Sequence, residues 1–343
     1  MSEYSLAGLP PVQARRAGRT NILALSGGGY RGFFSAAVLA KLESELGGPV
    51  HQCFDLIAGT SIGGIVACAL ATGHGAEVVL DAIGESGAAI FGKPGRIRRL
   101  YRGARSYVTS KYSAAPLERV VRSILGPAAE NRLLSDLDFP LLLPTVSYSA
   151  AAPMLLRSRG LAGARASKVT LTDAAMATSA APTYFPARWV NNELLVDGGL
   201  IANAPDALAA TSAMHLLGCA LEDIHVLSIG TAGPPMERPV TGPINWGKAA
   251  WMAKRGLMEL TLTALERLAV DEVRTLLKTR FTRIDARPSA DEQAYLALDR
   301  ADDLARSTLG TLADRACTDV LASTPQVLRD FWARAQRATE PST

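Results

Sequence analysis

Short apolar runs closed by glycine set the rhythm of the first part of the chain. Asn21 to Ser26 (N-I-L-A-L-S) is uncharged and mostly apolar and ends at Gly27-Gly28-Gly29-Tyr30-Arg31-Gly32, the pattern of a buried strand entering a tight turn. Phe34, Val38, Leu39 and Leu42 then fall at helical spacing, which predicts a helix from about Phe33 to Leu46 with one buried face. The unit repeats at once: Leu56-Ile57-Ala58 is a second short apolar run, followed by Gly59-Thr60-Ser61-Ile62-Gly63 and a helix opened by small residues. Two strand, glycine-turn, helix units in succession predict a parallel sheet with helices on its faces. Further strands are expected at Leu194 to Asp197, at Ile224 to Thr231 and at Arg280 to Asp285. Helices are expected from Asn203-Ala204-Pro205 to about Leu217 and between Asp291 and Cys317. Asn245 to Lys278, which carries Trp246 and Trp251, reads as a membrane-facing amphipathic helix or, the commoner outcome, as a helix packed on the sheet.

Composition narrows the class without changing this picture. A chain of 343 residues with 48% hydrophobic and 20% charged content has ample material for a buried core. A net charge of +4 is too small to indicate a nucleic-acid polymer as partner. Cys53, Cys68, Cys219 and Cys317 have neither C-x-x-C nor metal-ligand spacing and read as reduced thiols of a cytoplasmic protein, with no metal site expected. Arg15, Arg16 and Arg19 are not followed by the apolar region of a secretory signal. The uncharged stretches Leu56 to Gly73 and Phe139 to Leu156 are interrupted by glycines and prolines, so both read as buried strand and turn rather than membrane spans.

The chemistry begins at Gly59-Thr60-Ser61-Ile62-Gly63, a G-x-S-x-G elbow between strand and helix. Its glycines are expected to let the backbone turn sharply and pack closely, leaving Ser61 exposed at the strand's carboxyl end. Gly27, Gly29 and Gly32 also satisfy G-x-G-x-x-G, the dinucleotide-binding pattern. The acidic residue that pattern needs, however, would be Asp55, which lies at the wrong end of its strand. The other reading makes the amides of Gly27, Gly28, Gly29 and Tyr30 an oxyanion hole at a helix N-terminus. A nucleophilic serine needs a base, and His51, His74, His215 and His225 all lack the loop position after a late strand that a hydrolase triad requires. Asp197, at the end of L-L-V-D-G-G, can accept a serine proton directly; Asp-Gly is equally a plain turn signal.

These motifs, with Ala177 to Pro186 (A-T-S-A-A-P-T-Y-F-P), occur in the order and spacing of patatin-like phospholipases, which the chain resembles over about residues 20 to 210. The resemblance implies an α/β fold, a three-layer α/β/α sandwich with a mostly parallel central sheet and additional C-terminal helices. It implies a Ser61–Asp197 dyad, an oxyanion hole from Gly27 to Tyr30, and hydrolysis of lipid acyl esters with no catalytic cofactor. Arg31, Gly32, Gly59, Gly63, Gly198 and Gly199 are supporting motif positions. Ser26 stands where many members have aspartate, a change that bears on loop packing. The implied organisation is an N-terminal arm (1–19), a catalytic core (20–215) with a basic insertion (about 91–113), a C-terminal part of the same unit with a helical cap (216–335), and a disordered tail (336–343).

The basic insertion carries Lys93, Arg96, Arg98, Arg99, Arg102, Arg105 and Lys111 with interleaved tyrosines and no acid. It reads as a solvated loop, as a contact to anionic lipid, or as a pocket for a phosphate-bearing regulator. The whole pattern, including R-I-D-A-R-P-S near residues 283 to 289, resembles the bacterial patatin branch that holds the cyclic-nucleotide-activated phospholipases of CBASS antiphage defence. That likeness implies a cyclic di- or trinucleotide activator, peripheral contact with the inner face of the membrane, phospholipid as substrate and a homo-oligomer on activation. A constitutive lipid acyl hydrolase and a non-catalytic nucleotide-binding module are the alternatives.

Overall fold

A computed structural model describes residues 18–92, 109–163, 166–233, 244–247, 250–251 and 256–339. Strand β1 (Thr20–Leu25) is buried at every position because it has neighbours on both edges and helices over both faces. Its alternate side chains therefore serve two cores: Leu23 and Leu25 face one, Ile22 and Ala24 the other. The first core packs α1 (Gly32–Leu46) through the expected Phe34, Val38, Leu39 and Leu42. The elbow strand β2 (Leu56–Gly59) is followed by α2 (Ile62–Ala71) and α3 (Ala76–Phe91), and further along by α4 (Ala114–Leu125).

Strands β3 (Leu141–Ser147) and β4 (Ala152–Arg157) form a hairpin, α5 (Leu171–Thr178) follows, and β5 (Arg188–Val190) and β6 (Glu193–Asp197) form a second hairpin. Then come the short α6 (Gly199–Ala202), α7 (Asp206–Leu216) and β7 (Ile224–Ile229). After them lie α8 (Leu257–Leu277), β8 (Phe281–Ile284), α9 (Asp303–Ser323) and α10 (Pro325–Thr339).

The sheet has eight strands in the order β5-β6-β3-β2-β1-β7-β8, with β4 also paired to β3. The pairs β1–β2, β1–β7, β2–β3 and β7–β8 are parallel, and those involving β4, β5 and β6 are antiparallel. The expected mostly parallel sheet between two helical layers is thus present.

One detail of register places the chemistry. β4 covers Leu142 to Ser147 of β3 on one edge, so β2, paired at Leu141 and Leu142, and β6, paired at Thr145 to Ser147, must share the other. β2 runs parallel to β3 and β6 antiparallel, so their carboxyl ends point at each other across Leu143 and Pro144.

The segment from Asn245 to Lys278 differs from expectation in its start. Its helix begins at Leu257, after Gly256 takes a left-handed conformation that breaks the chain direction. Val270, Val273 and Leu277 pack it on the second core, and its first half faces the cavity described below. The final helix runs to Thr339, past residue 336 where a disordered tail is expected, and buries Phe331 and Trp332 against Phe54. Among the described residues no helix is long and apolar enough to cross a membrane.

Candidate active site

Ser61 sits in the gap between the ends of β2 and β6, at the N-terminus of α2. Its own backbone carries the turn, with φ 56° and ψ −125°, whereas Gly59 and Gly63 do not take positive φ. Such a conformation in a non-glycine residue costs on the order of 1–3 kcal/mol and persists only where the surroundings fix it. Here Ser61 N–H donates to Thr178 Oγ1 at 3.2 Å, and Thr60 donates from its amide to Leu25 O at 3.1 Å and from its hydroxyl to Ala202 O at 2.6 Å. The glycines serve closeness instead: a Cβ on Gly59 would lie 2.2 Å from Gly63 O, and one on Gly63 2.5 Å from Leu25 O. The expectation that these glycines supply the sharp turn is corrected in that respect.

Asp197 is buried; its Oδ1 accepts Gly199 N–H at 2.6 Å, and the Ser61 side chain lies near enough to favour the ionised carboxylate. Burial pushes its pKa up to about 7, against the opposing pull of those two groups. Gly198 is needed by contact: its Cβ would fall 2.1 Å from Pro144 O. The β5–β6 hairpin that delivers Asp197 is pinned by Arg188, which donates to Glu118 Oε2 at 2.8 Å and to Asp173 Oδ1 at 2.6 Å. Asp197 N–H donates to Ala180 O at 3.0 Å, so Ala177 to Pro186 supports the acid as well as the elbow.

The four amides proposed for the oxyanion hole divide into two pairs. Gly27 N–H already donates to Asn203 O at 2.9 Å and Tyr30 N–H to Leu298 O at 2.8 Å. Among the described residues Gly28 and Gly29 donate to nothing, so they are the donors available to a substrate oxygen. Gly29, at φ 57°, has Leu298 O 2.3 Å from where its Cβ would be, and neither the dihedral nor the space admits another residue. Gly32 makes room for Ile62, whose Cγ1 is 2.2 Å from the corresponding point.

Ser61, Asp197 and the glycine loop open into one cavity of about 430 Å³. Ile65, Ile83, Phe91, Leu117, Val120 and Ile124 form an apolar arm between α2, α3 and α4. The lining also includes charged side chains, Arg31, Glu259 and Glu266. Arg31 is buried with its Nε unpaired, and burial lowers its pKa against the attraction of Glu266, Glu259 and Asp285.

No histidine lines this cavity among the described residues. His51 is in a short helix before β2, His74 caps α2 through Ala69 O, His215 is in α7 and His225 in β7. Asp55 receives Asn21 N–H at 2.9 Å at the amino end of β2, away from the glycine loop, as the argument against a dinucleotide site requires. Of the basic insertion, Lys93, Arg96, Arg98, Arg99, Arg102 and Arg105 lie outside the described residues. Its flanks are described: Phe91 lines the cavity and meets Tyr112 edge-on at 5.3 Å, and Lys111 and Tyr112 both bond Asp299.

Glu266 carries no sequence motif and reaches the site only through the fold. Thr178 and Arg283 fall inside the segments Ala177 to Pro186 and R-I-D-A-R-P-S, but their contacts come from the fold: Arg283 and Ser26 bond across 257 positions of sequence. Asn203, expected to open α7, instead ends α6 and bonds both Gly27 and Glu266.

The family described as patatin-like phospholipase matches residues 23–210. A "cGAMP-activated phospholipase" of Pseudomonas aeruginosa is 32% identical over 304 residues, covering 88% of this chain and 89% of that protein. One of the same description from Vibrio cholerae is 29% identical and covers 94% and 97% of the two chains. A "cUMP-AMP-activated phospholipase" of Escherichia coli is 26% identical over 75% and 77%.

Proposed function

The chain belongs to the patatin-like phospholipases, and from that premise we propose that Ser61 and Asp197 form a catalytic dyad hydrolysing fatty-acyl esters of membrane phospholipids. The observation that carries this is Ser61 beside a buried carboxylate whose pKa is raised to about 7, the two brought together by β2 and β6 in one cavity with a largely apolar wall. A carboxylate near that pKa is half ionised at neutral pH and basic enough to take a serine proton.

In the proposed reaction Ser61 Oγ attacks the ester carbonyl while its proton passes to Asp197. The oxygen of the tetrahedral intermediate lies against the N–H groups of Gly28 and Gly29. Collapse breaks the bond to the glyceryl oxygen, which leaves with the proton from Asp197, and an acyl group remains on Ser61. Water then gives a proton to Asp197 and attacks the acyl carbonyl, releasing the fatty acid and restoring the serine. The apolar lining holds the acyl chain, and Arg31 is the cation of the lining that can meet the head-group phosphate.

We further read the protein as a regulated effector, switched on by a cyclic di- or trinucleotide, that degrades the cell's own inner membrane from its cytoplasmic face during antiphage defence, with oligomerisation on activation. The support is that three relatives, which align with 75% to 94% of this chain, are described as activated by cGAMP or cUMP-AMP. The test is fatty-acid release from vesicles of bacterial phospholipid with and without a panel of cyclic di- and trinucleotides. Release should rise at least tenfold with one of them and fall about a thousandfold or more in Ser61→Ala and in Asp197→Ala. Equal release with and without every nucleotide would leave a constitutive acyl hydrolase; wild-type turnover in either variant would refute the dyad.

A further inference from the structure

Helix α6 is four residues long, yet it touches every part of the site. Gly199 N–H, at its start, donates to Asp197. Ala202 O, at its end, accepts the hydroxyl of Thr60 in the elbow. Asn203, which follows, grips the glycine loop from both sides: its carbonyl accepts Gly27 N–H at 2.9 Å and its Nδ2 donates to Gly27 O at 3.2 Å. Both peptide units that meet at Gly27 are thereby held, and the second of them carries the Gly28 N–H in the same plane as the bonded Gly27 carbonyl, with the Gly29 amide next along the chain.

Asn203 is itself held from outside the family-matched segment. Its Nδ2 also donates to Glu266 Oε2 at 2.7 Å, and Glu266 Oε1 accepts Arg283 Nη2 at 2.8 Å. Arg283 completes the arrangement by donating through Nη1 to Ser26 Oγ at 2.9 Å and to Ser228 Oγ at 2.8 Å, and through Nη2 to Asp285 Oδ2 at 2.8 Å. Ser26 is the residue immediately before Gly27. The loop is thus fixed at Ser26 by Arg283 and at Gly27 by Asn203, and Glu266 joins the two holders. Both ionic side chains are largely buried, at 9% exposure for Arg283 and 18% for Glu266. Losing Arg283 takes the ion-pair partner from a largely buried Glu266, whereas losing Glu266 leaves Arg283 paired with Asp285 but without its link to Asn203.

We infer that Glu266 and Arg283 are positioning residues for catalysis: through Asn203 and Ser26 they fix the direction of the Gly28 and Gly29 amides toward the substrate oxygen. Glu266 stands on the cavity wall of α8, so the same contact makes the placement of that helix a condition for a formed oxyanion hole.

The inference rests on Ser61 as nucleophile and is tested on the full-length protein with a fluorophosphonate ester, which reacts through an oxyanion-stabilised step at an activated serine. Labelling is measured with whichever nucleotide of the panel gives the fastest wild-type rate, or with none if none accelerates it, resolving the maximal rate from half-saturation. Glu266→Ala should lower the maximal rate about 10- to 100-fold. Half-saturation should stay within about threefold, and the midpoint of the pH profile, which belongs to Asp197, should not move. Glu266→Gln, whose amide oxygen can still accept from Asn203, should recover part of the rate, and Arg283→Lys, which loses the planar fork, should resemble Glu266→Ala. Glu266→Gln also serves if the alanine variant does not fold. An unchanged maximal rate in Glu266→Gln and Arg283→Lys, or a change confined to half-saturation, overturns the inference. Labelling that persists in Ser61→Ala would instead sink the dyad reading, so the two failures are distinguishable.

Discussion

Ser61 and Asp197 are each held in a state they would not choose alone, one in backbone conformation and the other in desolvation. For Asp197 this has two consequences with opposite signs. In the proposed dyad its ionised form is the base, so kcat/KM should rise with pH through a midpoint near 7, which a pH–rate profile on a soluble ester will show. Stability runs the other way. Below pH 4 the carboxyl is protonated in both folded and unfolded chains and burial has no ionic cost. Between pH 4 and 7 only the unfolded chain releases the proton, so stability falls as pH rises, and above 7 the loss is complete. Asp197→Asn cannot ionise and should be inactive yet more stable than the parent at pH 8, by up to roughly 4 kcal/mol, with little difference at pH 4. Urea unfolding at the two pH values measures it. Ser61 was legible in the sequence because glycines flank it at the end of an apolar run; Asp197, followed by two glycines, reads equally as a turn until the family resemblance singles it out. The desolvation of Asp197 was not legible, since it depends on Ala180, Thr145 and Pro144, which the fold brings in from other segments.

Among the elements, glycine acts for two different reasons, and substitution separates them. Gly63 has an ordinary backbone but no space, because the first turn of α2 lies on the carbonyls of Leu25 and Ser26. Gly73 has φ 92° and nothing within 4 Å of its missing Cβ. Gly73→Ala should cost about 1 kcal/mol of backbone strain and leave activity alone. Gly63→Ala must push α2 off β1, costing about 2 kcal/mol or more and displacing Ser61 with it. Urea midpoints and ester hydrolysis on both variants check the contrast. The paired glycine turns also explain why β1, β2 and their helices could be read from sequence: strands buried on both faces are uniformly apolar and sharply punctuated. β5 was not foreseen. It has three residues, exposes Trp189 and joins β6 through Asn191 and Asn192, both at positive φ, a turn without the usual glycine.

At the level of the whole molecule, the family match ends at residue 210, but the site does not. β8 supplies Arg283, α8 supplies Glu266, and α10 closes the sheet beneath β2 by packing Phe331 and Trp332 on Phe54, with Trp332 Nε1 donating to Gly48 O at 3.3 Å. Trp332→Ala should therefore destabilise the entire unit by about 3–5 kcal/mol, in a single cooperative transition seen alike by fluorescence and circular dichroism. An independently folding C-terminal part would instead give two transitions. The meeting of β2 and β6 on one edge of β3 carries a last consequence. β6 is held to β3 by only three residue pairs, Thr145–Asp197 to Ser147–Leu195, and the smallest slip that keeps its side chains on their own faces is two residues. That slip carries Asp197 by about 7 Å, well beyond reach of Ser61. Strand pairing here behaves as a ratchet with one working notch: the proposed dyad is in register or out of reach, with no intermediate setting that keeps the side chains on their own faces.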